Sequence, residues 1–195
     1  MSTIVVVKKS GKTAIGADTI STYSDTKVPA KYVNGRSKIQ KCGSSYIGVT
    51  GSAANNNVLA SIIDKHGPRL SFRSVKEIFE TYRKLHPILK DEYYINVSEG
   101  DHDEYESSQI DGLIANPYGI FGIYTWREVY EYERFWAIGS GWQFAMGAMY
   151  AAYDEVDDVE EIARIGIEAS CEFDTGSGLP YTLHSVKLLR AKAKR

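Results

Sequence analysis

The hydrophobic pattern near the start of the chain is a continuous run rather than an alternation. The residues Ile4–Val7 are all apolar and β-branched, and Ser2 and Thr3 stand directly before them. Such a run is typical of a strand that is buried on both faces. Gly11 then marks a turn, and the stretch 13–18 predicts a second strand antiparallel to the first.

The rest of the pattern predicts pairs of strands followed by pairs of helices. Residues 20–35 are polar and predict a long loop. A capping box at Ser74 and Glu77 marks the start of a helix. Pro87 lies in that helix and is expected to end or kink it. Strands are predicted over 37–41, 44–50, 110–115, 120–133, 135–141 and 181–189, and helices over 53–67, 74–90, 141–155 and 157–173.

This order of elements differs from the strict β-α alternation of a parallel sheet. We therefore expect an α+β fold, a four-layer αββα sandwich of two antiparallel sheets that are flanked by helix pairs. A length of 195 residues is most simply one domain, 1–195, since typical domains hold roughly 100–200 residues. No internal repeat or low-complexity linker divides the chain.

Composition and charge narrow the classes of function. The net charge of −2 gives no electrostatic argument for a nucleic-acid partner. No stretch approaches the roughly 18 apolar residues of a membrane span, and Lys8 and Lys9 follow the first apolar run instead of preceding it as in a signal peptide. We therefore expect a cytoplasmic protein without a membrane partner. Cys42 and Cys171 are expected to be free thiols, and the four histidines lack metal-ligand spacing, so neither metal nor cofactor is predicted.

Ser2 is the first candidate for catalysis. A small second residue is the usual context for removal of Met1, and the new N-terminus would carry a hydroxyl and an α-amine on the same residue. The amine can then serve as the base for its own nucleophile. Its reference pKa is about 7.7–8.0, against about 10.4 for lysine. A base with a pKa near the operating pH is the more effective one.

Three further residues are candidates to assist this amine. Asp18 ends the second predicted strand, where it could lie beside Ser2, and Lys38 begins the third. A lysine charge nearby would lower the pKa of the amine. The N–H of Gly51, at a strand-to-helix turn, could face a tetrahedral oxyanion. Taken singly each has a plain structural explanation, since a charged strand end is usually solvated and a Gly-Ser pair is usually only a turn.

Taken together, these residues resemble the proteasome β-subunit superfamily of N-terminal nucleophile hydrolases, and its HslV and BPH types in particular. The stretch STIVVVKKSGKTAIGAD is similar to the first hairpin of the family, with Ser2 at the nucleophile and Asp18 at the aspartate sixteen residues later. Lys38 stands at the position of the family's lysine. The sequence GVTGSAA resembles its strand-to-helix turn, which implies an oxyanion N–H at Gly51.

The resemblance implies further site residues. The sequence AIGSG is similar to a second Gly-Ser turn of the family and places Ser140 at its active-site serine, and DTGSG places Asp174 and Ser177. Thr22 and Val49 fall at implied substrate-binding positions. The nucleophile is serine, where most proteasome-type peptidases have threonine.

The function that the resemblance implies is an N-terminal serine peptidase that is active only after removal of Met1. It would hydrolyse unfolded or short polypeptides inside stacked homo-oligomeric rings, a tetradecamer of two rings of seven, with an ATP-driven unfoldase as a candidate partner. A small-molecule amidase of the same fold and a catalytically inactive ring scaffold are the alternatives. A scaffold usually lacks the Asp18 or Lys38 equivalent, and this chain has both.

Two stretches have no counterpart in this resemblance. From Asp91 to Asp111 there are eight acidic residues and no lysine or arginine, and an insertion spans 99–106. In a ring this charge would form a negative band that favours basic peptides, or else a solvated outer loop. In addition, seven of the 14 tyrosines lie between Tyr93 and Tyr132.

Overall fold

The computed structural model describes residues 2–35, 37–98 and 104–189. Met1 and residues 99–103 of the acidic insertion, including Asp101 and Asp103, lie outside the described residues. The strands are β1 Thr3–Lys9, β2 Lys12–Asp18, β3 Ser21–Tyr23, β4 Thr26–Val28, β5 Ile39–Cys42, β6 Ser45–Val49, β7 Gly112–Asn116, β8 Gly119–Ile123, β9 Val129–Tyr132, β10 Phe135–Gly139 and β11 Tyr181–Lys187. The helices are α1 Ala54–His66, α2 Val75–Asp91, α3 Trp142–Tyr153 and α4 Val159–Phe173.

A four-stranded antiparallel sheet places the start of the chain near its centre. Its strand order is β10-β1-β2-β11, so β1 has a neighbour on both sides. Ile4 and Val6 of β1 pack toward the second sheet, while Val5 and Val7 pack beneath α3 and α4. All four side chains are fully buried. The predicted burial of this strand on both faces is therefore confirmed.

The second sheet has five antiparallel strands in the order β5-β6-β7-β8-β9. Leu59 of α1 and Ile78 of α2 belong to the apolar cluster on its outer face. Met149 of α3 and Ile162 of α4 belong to the equivalent cluster on the four-stranded sheet. A third cluster, which includes Leu113, joins the inner faces of the two sheets. These three layers of apolar contact confirm the predicted αββα sandwich.

Two predicted segments differ from the structure. The polar loop 20–35 contains the hairpin β3–β4, whose turn at Ser24 has a positive φ of 48°. The single strand predicted over 120–133 is two strands, because the chain turns between Tyr124 and Glu128. The Tyr124 N–H donates to the carbonyl of Glu128 at 3.0 Å, which closes this turn. Apolar periodicity alone does not mark either of these short turns.

Of the two outcomes expected of Pro87, an end or a kink of α2, the end does not occur. The helix continues through Pro87 to Asp91. Proline removes one backbone hydrogen bond of a helix, but Pro87 lies on the exposed side, while Leu85 and Leu89 on either side of it are buried. The apolar contacts of those two leucines hold the last turn in place. At the other end, Ser74 caps the helix as predicted by accepting from the N–H of Glu77 at 3.3 Å.

Candidate active site

The N-terminal end of β1 opens into a cleft of about 890 Å³. Ser2 is 8% exposed and lies at the wall of this cleft. Four other residues that the sequence nominated line the same space, namely Thr22, Lys38, Val49 and Gly51. They come from the β3 hairpin, the start of β5, the end of β6 and the turn before α1. Segments distant in the chain thus converge on one hydroxyl.

Asp18 is buried beside the start of β1, and its carboxylate accepts hydrogen bonds from several segments of the chain. Its Oδ1 accepts hydrogen bonds from the Thr3 N–H at 2.9 Å and from Lys38 Nζ at 2.6 Å. Its Oδ2 accepts from the N–H groups of Ile20 at 3.2 Å and Gly178 at 3.3 Å. The side chains of Asp18 and Lys38 are 0% and 7% exposed. This carboxyl therefore fixes both the first strand and the ammonium that faces the cleft.

The Asp18–Lys38 pair is held as an ion pair by its surroundings. Burial raises the pKa of Asp18 above its ordinary value, and the Lys38 ammonium and the backbone donors of Thr3 and Ile20 oppose that rise. All four partners of the carboxyl are donors, so the ionised form is the one that satisfies them. A buried ammonium beside Ser2 is the electrostatic arrangement that favours a neutral amine nearby.

A second hydrogen-bonded chain holds the backbone of the nucleophile. The Ser140 N–H donates to the carbonyl oxygen of Ser2 at 2.8 Å. The hydroxyls of Ser140 and Ser177 both donate to Asp174 Oδ2 at 2.6 Å. Ser177 Oγ also lies 2.7 Å from Thr3 Oγ1. These three predicted residues hold Ser2 and Thr3 from behind, and none of them lines the cleft.

The Asp174 carboxyl is ionised in this arrangement. Burial opposes its ionisation, but the hydrogen bonds from Ser140, from Ser177 and from the backbone of Gly176, together with the positive charge of the N-terminus, hold the pKa of Asp174 below its ordinary value of 3.8. A carboxylate that accepts two hydroxyl hydrogen bonds orients both hydroxyls. Because the Ser177 proton points to Asp174, the Thr3 hydroxyl donates to Ser177 Oγ, and Asp174 fixes the side chains that flank Ser2 and Thr3.

One glycine, Gly139, allows the backbone to approach Ser2 closely, and a second, Gly51, lines the same cleft as Ser2. Gly139 pairs with Thr3 across the β1–β10 ladder and has a φ of 95°. A Cβ atom at Gly139 would lie 1.9 Å from the carbonyl oxygen of Ser2, so no other residue fits there without displacement. Gly51 has the same φ of 95°, and its turn is anchored by Asn55 Nδ2, which donates to the carbonyl of Thr50 at 3.2 Å.

Sequence reasoning missed several residues that position this site. Thr3 contributes both a backbone N–H and a hydroxyl, while Gly139, Gly141 and Gly178 contribute close backbone contacts. Backbone donors carry no side-chain signature, so Gly178 could not be found by residue type. Thr3 was visible next to Ser2, but a threonine at a strand start has no distinctive pattern.

Burial raises the pKa of the Cys171 thiol to about 12, so it stays protonated at neutral pH and is a poor nucleophile. Within residues 2–35, 37–98 and 104–189, no group of three or more His, Cys, Asp or Glu side chains could hold a metal ion. In the same ranges, none of the helices has the length and apolar character needed to cross a membrane.

Comparisons with known proteins place this geometry in a family. No protein-family model and no curated protein matches the chain. Among solved structures, Thiobacillus denitrificans BPH is 41% identical over 97% of this chain and 100% of its own, with a TM-score of 0.91. BPH in complex with epoxomicin matches at 40% identity over 96% and 99% of the two chains, with a TM-score of 0.87.

A more distant structure has the same fold. HslV from Trypanosoma brucei is 19% identical over 95% of this chain and 99% of its own, with a TM-score of 0.68. The identity with BPH is spread over nearly the full length of both chains and is high enough to show common family membership. The chain belongs to the proteasome-β/HslV-like N-terminal nucleophile hydrolases, the family that includes BPH.

Proposed function

We propose that this protein is an N-terminal serine peptidase of the proteasome type, with Ser2 as the nucleophile after removal of Met1. The observation that carries the proposal is the position of Ser2 in the cleft, beside the buried ion pair of Lys38 and Asp18. The family membership supports the same assignment.

The reaction begins with the Ser2 hydroxyl. The α-amine of Ser2 takes the proton from Oγ, and Oγ attacks the carbonyl carbon of the scissile peptide bond. The tetrahedral intermediate collapses, the amine returns the proton to the leaving nitrogen, and an ester joins Ser2 to the acyl part of the substrate. Water then attacks the ester with the same amine as base, which releases the acid and restores the hydroxyl.

Other residues of the site support these steps. The Lys38 ammonium favours the neutral amine, and Asp18 holds Lys38 and the first strand. The N–H of Gly51 stabilises the oxyanion, an interaction that typically contributes roughly 3–4 kcal/mol in such sites. Thr22 and Val49 line the cleft and bind the extended substrate. Ser140, Asp174 and Ser177 fix the Ser2 backbone.

The assembly belongs to the same proposal. We assign the protein to the cytoplasm and to stacked homo-oligomeric rings of seven subunits, with the sites facing an inner chamber that admits unfolded or short polypeptides. The outer face of α3 exposes Phe144 and Tyr150, and Phe173 of α4 lies against Phe144 with a ring-centroid distance of 5.7 Å. Exposed aromatic residues of this kind favour contact with another copy. An ATP-driven unfoldase is the candidate external partner.

The test is hydrolysis of fluorogenic peptides by wild type, Ser2→Ala and Ser2→Thr. Edman sequencing and intact mass first establish that Met1 is absent from the assayed protein. We expect Ser2→Ala to abolish turnover with unchanged folding and assembly, while Ser2→Thr retains a hydroxyl and keeps turnover. Epoxomicin, which was solved in complex with BPH, should inhibit wild type.

Three results would contradict the proposal. Undiminished peptide hydrolysis by Ser2→Ala would exclude Ser2 as the nucleophile. Retention of Met1 in all molecules isolated from the native host would favour the inactive scaffold. Hydrolysis of small amides without any peptide hydrolysis would favour the amidase alternative.

A further inference from the structure

A second concave surface lies at the open edge of the sandwich, between β9 of the five-stranded sheet and β10 of the four-stranded sheet. It is a groove of about 880 Å³ that shares no lining residue with the Ser2 cleft. We call it the aromatic groove because six aromatic side chains line it: Tyr124, Trp126, Tyr130, Tyr132, Trp136 and Trp142. All three tryptophans of the chain lie there.

Four of the six rings, those of Tyr124, Tyr130, Tyr132 and Trp136, contact one another. Tyr132 stacks on Trp136 with a centroid distance of 5.0 Å and an interplanar angle of 8°. Tyr130 extends the stack, and the hydroxyls of Tyr124 and Tyr132 are 2.5 Å apart. Tyr130 is nevertheless 53% exposed and Trp126 is 45% exposed. The surface is therefore preorganised and still open to solvent.

The charge in the aromatic groove is entirely negative among its described lining residues. Asp111 and Glu128 line it, and no lysine, arginine or histidine does. Asp111 Oδ1 accepts from the N–H and the hydroxyl of Thr125, each at 3.1 Å, and Glu128 Oε2 accepts from the Trp126 N–H at 3.2 Å. Fixed carboxylates beside open aromatic faces are the features that bind an ammonium or a guanidinium.

The strand β9, which forms one wall of the aromatic groove, offers backbone groups for pairing with a peptide. In the described part of the chain β9 pairs only with β8, so it is the edge of its sheet. An edge strand can pair with an added extended peptide, and pockets beside it then select alternate side chains. Tyr130 and Tyr132 of β9 present their side chains to the aromatic groove.

We propose that the aromatic groove binds a lysine or arginine side chain of an extended polypeptide segment, which adds to β9 as the next strand. This site is separate from the Ser2 cleft and does not depend on hydrolysis there. The groove recognises two features of its ligand. The cationic side chain contacts the ring faces and the two carboxylates, and the extended backbone pairs with β9.

The experiment uses the emission of the three tryptophans, all of which report on this groove. The full-length protein is titrated with an acetylated, amidated pentapeptide that carries arginine at its centre, and with the same peptide carrying neutral citrulline. The Ser2→Ala variant is titrated in parallel so that cleavage does not disturb the signal. We expect a saturable emission change with the arginine peptide and about tenfold weaker binding of the citrulline peptide.

Substitutions in the aromatic groove test whether the peptide binds there. Glu128→Gln keeps an acceptor for the Trp126 N–H and removes the charge, so binding of the arginine peptide should weaken several-fold. Glu155→Gln, an exposed acid after α3, makes the same change in net charge and should have no effect. Tyr130→Leu removes one open ring face and should also weaken binding. A peptide with N-methylated backbone should lose binding because it cannot pair with β9.

Several outcomes would overturn the proposal. Equal binding of the arginine and citrulline peptides would show that no cation is recognised. If Glu128→Gln binds the arginine peptide as tightly as wild type, the Glu128 carboxylate takes no part in binding. Equal binding of the N-methylated peptide would exclude strand addition. Tryptophan emission that acrylamide cannot quench in the assembled protein would mean that a neighbouring copy covers the aromatic groove.

Discussion

At the scale of single residues, the site depends on two carboxylates in different roles. Asp18 is buried and accepts from four donors that belong to different segments, whereas Asp174 orients two hydroxyls near the surface. The convergence of Ser2, Asp18 and Lys38 could be expected from the resemblance to a known family rather than from the residues singly, because each of the three alone also has a plain structural explanation. The backbone donor of Gly178 could not, since every residue except proline has one.

Removing the Lys38 ammonium should affect stability and catalysis together. Lys38→Met keeps the aliphatic stem but leaves Asp18 buried without its cation, which typically costs about 3–5 kcal/mol of unfolding free energy. We also expect the peptidase rate per folded molecule to fall at least tenfold, a loss of about 1.4 kcal/mol or more. Urea unfolding and fluorogenic peptide assays measure the two effects. Lys41→Met, on the exposed side of the same strand, is the control. A rate above a tenth of wild type would refute the role of Lys38.

The lowered pKa of Asp174 predicts a defined pH dependence of stability. Its folded pKa lies below the ordinary value of 3.8, so its contribution is present above that value and is lost as pH falls through the folded pKa. Asp174→Asn should therefore lower Tm relative to wild type at pH 6, and the difference should shrink below about pH 4. Thermal unfolding from pH 3 to 7 tests this, with the exposed Asp64→Asn as control. A difference in Tm that is constant over this range would contradict the assignment.

At the scale of elements, long periodic segments were predictable and short irregular ones were not. The β-branched run of β1 and the apolar stripe of α2 gave the correct element types, because burial imposes their periods. The β3–β4 hairpin and the break between β8 and β9 depend on local turns at Ser24 and Arg127, whose positive φ values leave little trace in apolar periodicity. Pro87 shows that apolar anchors can outweigh one lost hydrogen bond.

The close contact between β10 and the nucleophile predicts a sharp effect of one methyl group. Gly139→Ala would place Cβ 1.9 Å from the Ser2 carbonyl oxygen at a φ of 95°, so both backbones must move. We expect destabilisation of more than about 2 kcal/mol and loss of peptidase activity. In α3, Gly147 has open space around it, so Gly147→Ala should stabilise by roughly 0.5–1 kcal/mol with unchanged activity. Equal unfolding midpoints for the two variants would contradict this packing.

At the scale of the whole molecule, the two sheets contribute different parts of the candidate sites. The four-stranded sheet positions Ser2, and the five-stranded sheet carries one wall of the cleft and the edge strand β9. The acidic segment that the sequence emphasised is partly neutralised, because Glu106 accepts from Lys90 Nζ at 2.5 Å and is paired with His86 at 2.9 Å. The negative band along 99–106 remains a prediction, since residues 99–103 are outside the described ranges.

The proposed ring predicts a large particle without any ATPase. Purified protein at micromolar concentration should sediment as a tetradecamer and appear in electron micrographs as a double ring. Phe173→Asp places a charge on the exposed aromatic surface of α3 and α4 and should shift the population to smaller species. Tyr118→Asp, at the turn between β7 and β8, is the matched control. A monomer by light scattering for wild type would exclude the ring.

The four partners of Asp18 have a consequence for the order of events during synthesis. They lie 2, 15, 20 and 160 positions away along the chain. The last contact can form only when the segment around Gly178 has left the ribosome, although Ser2 left it first. Contacts across such separations form late, because the long loop must close before they are gained. Ser2 is therefore synthesised long before the contacts of Asp18 that organise its strand are complete, and this organisation has to wait for the segment around Gly178.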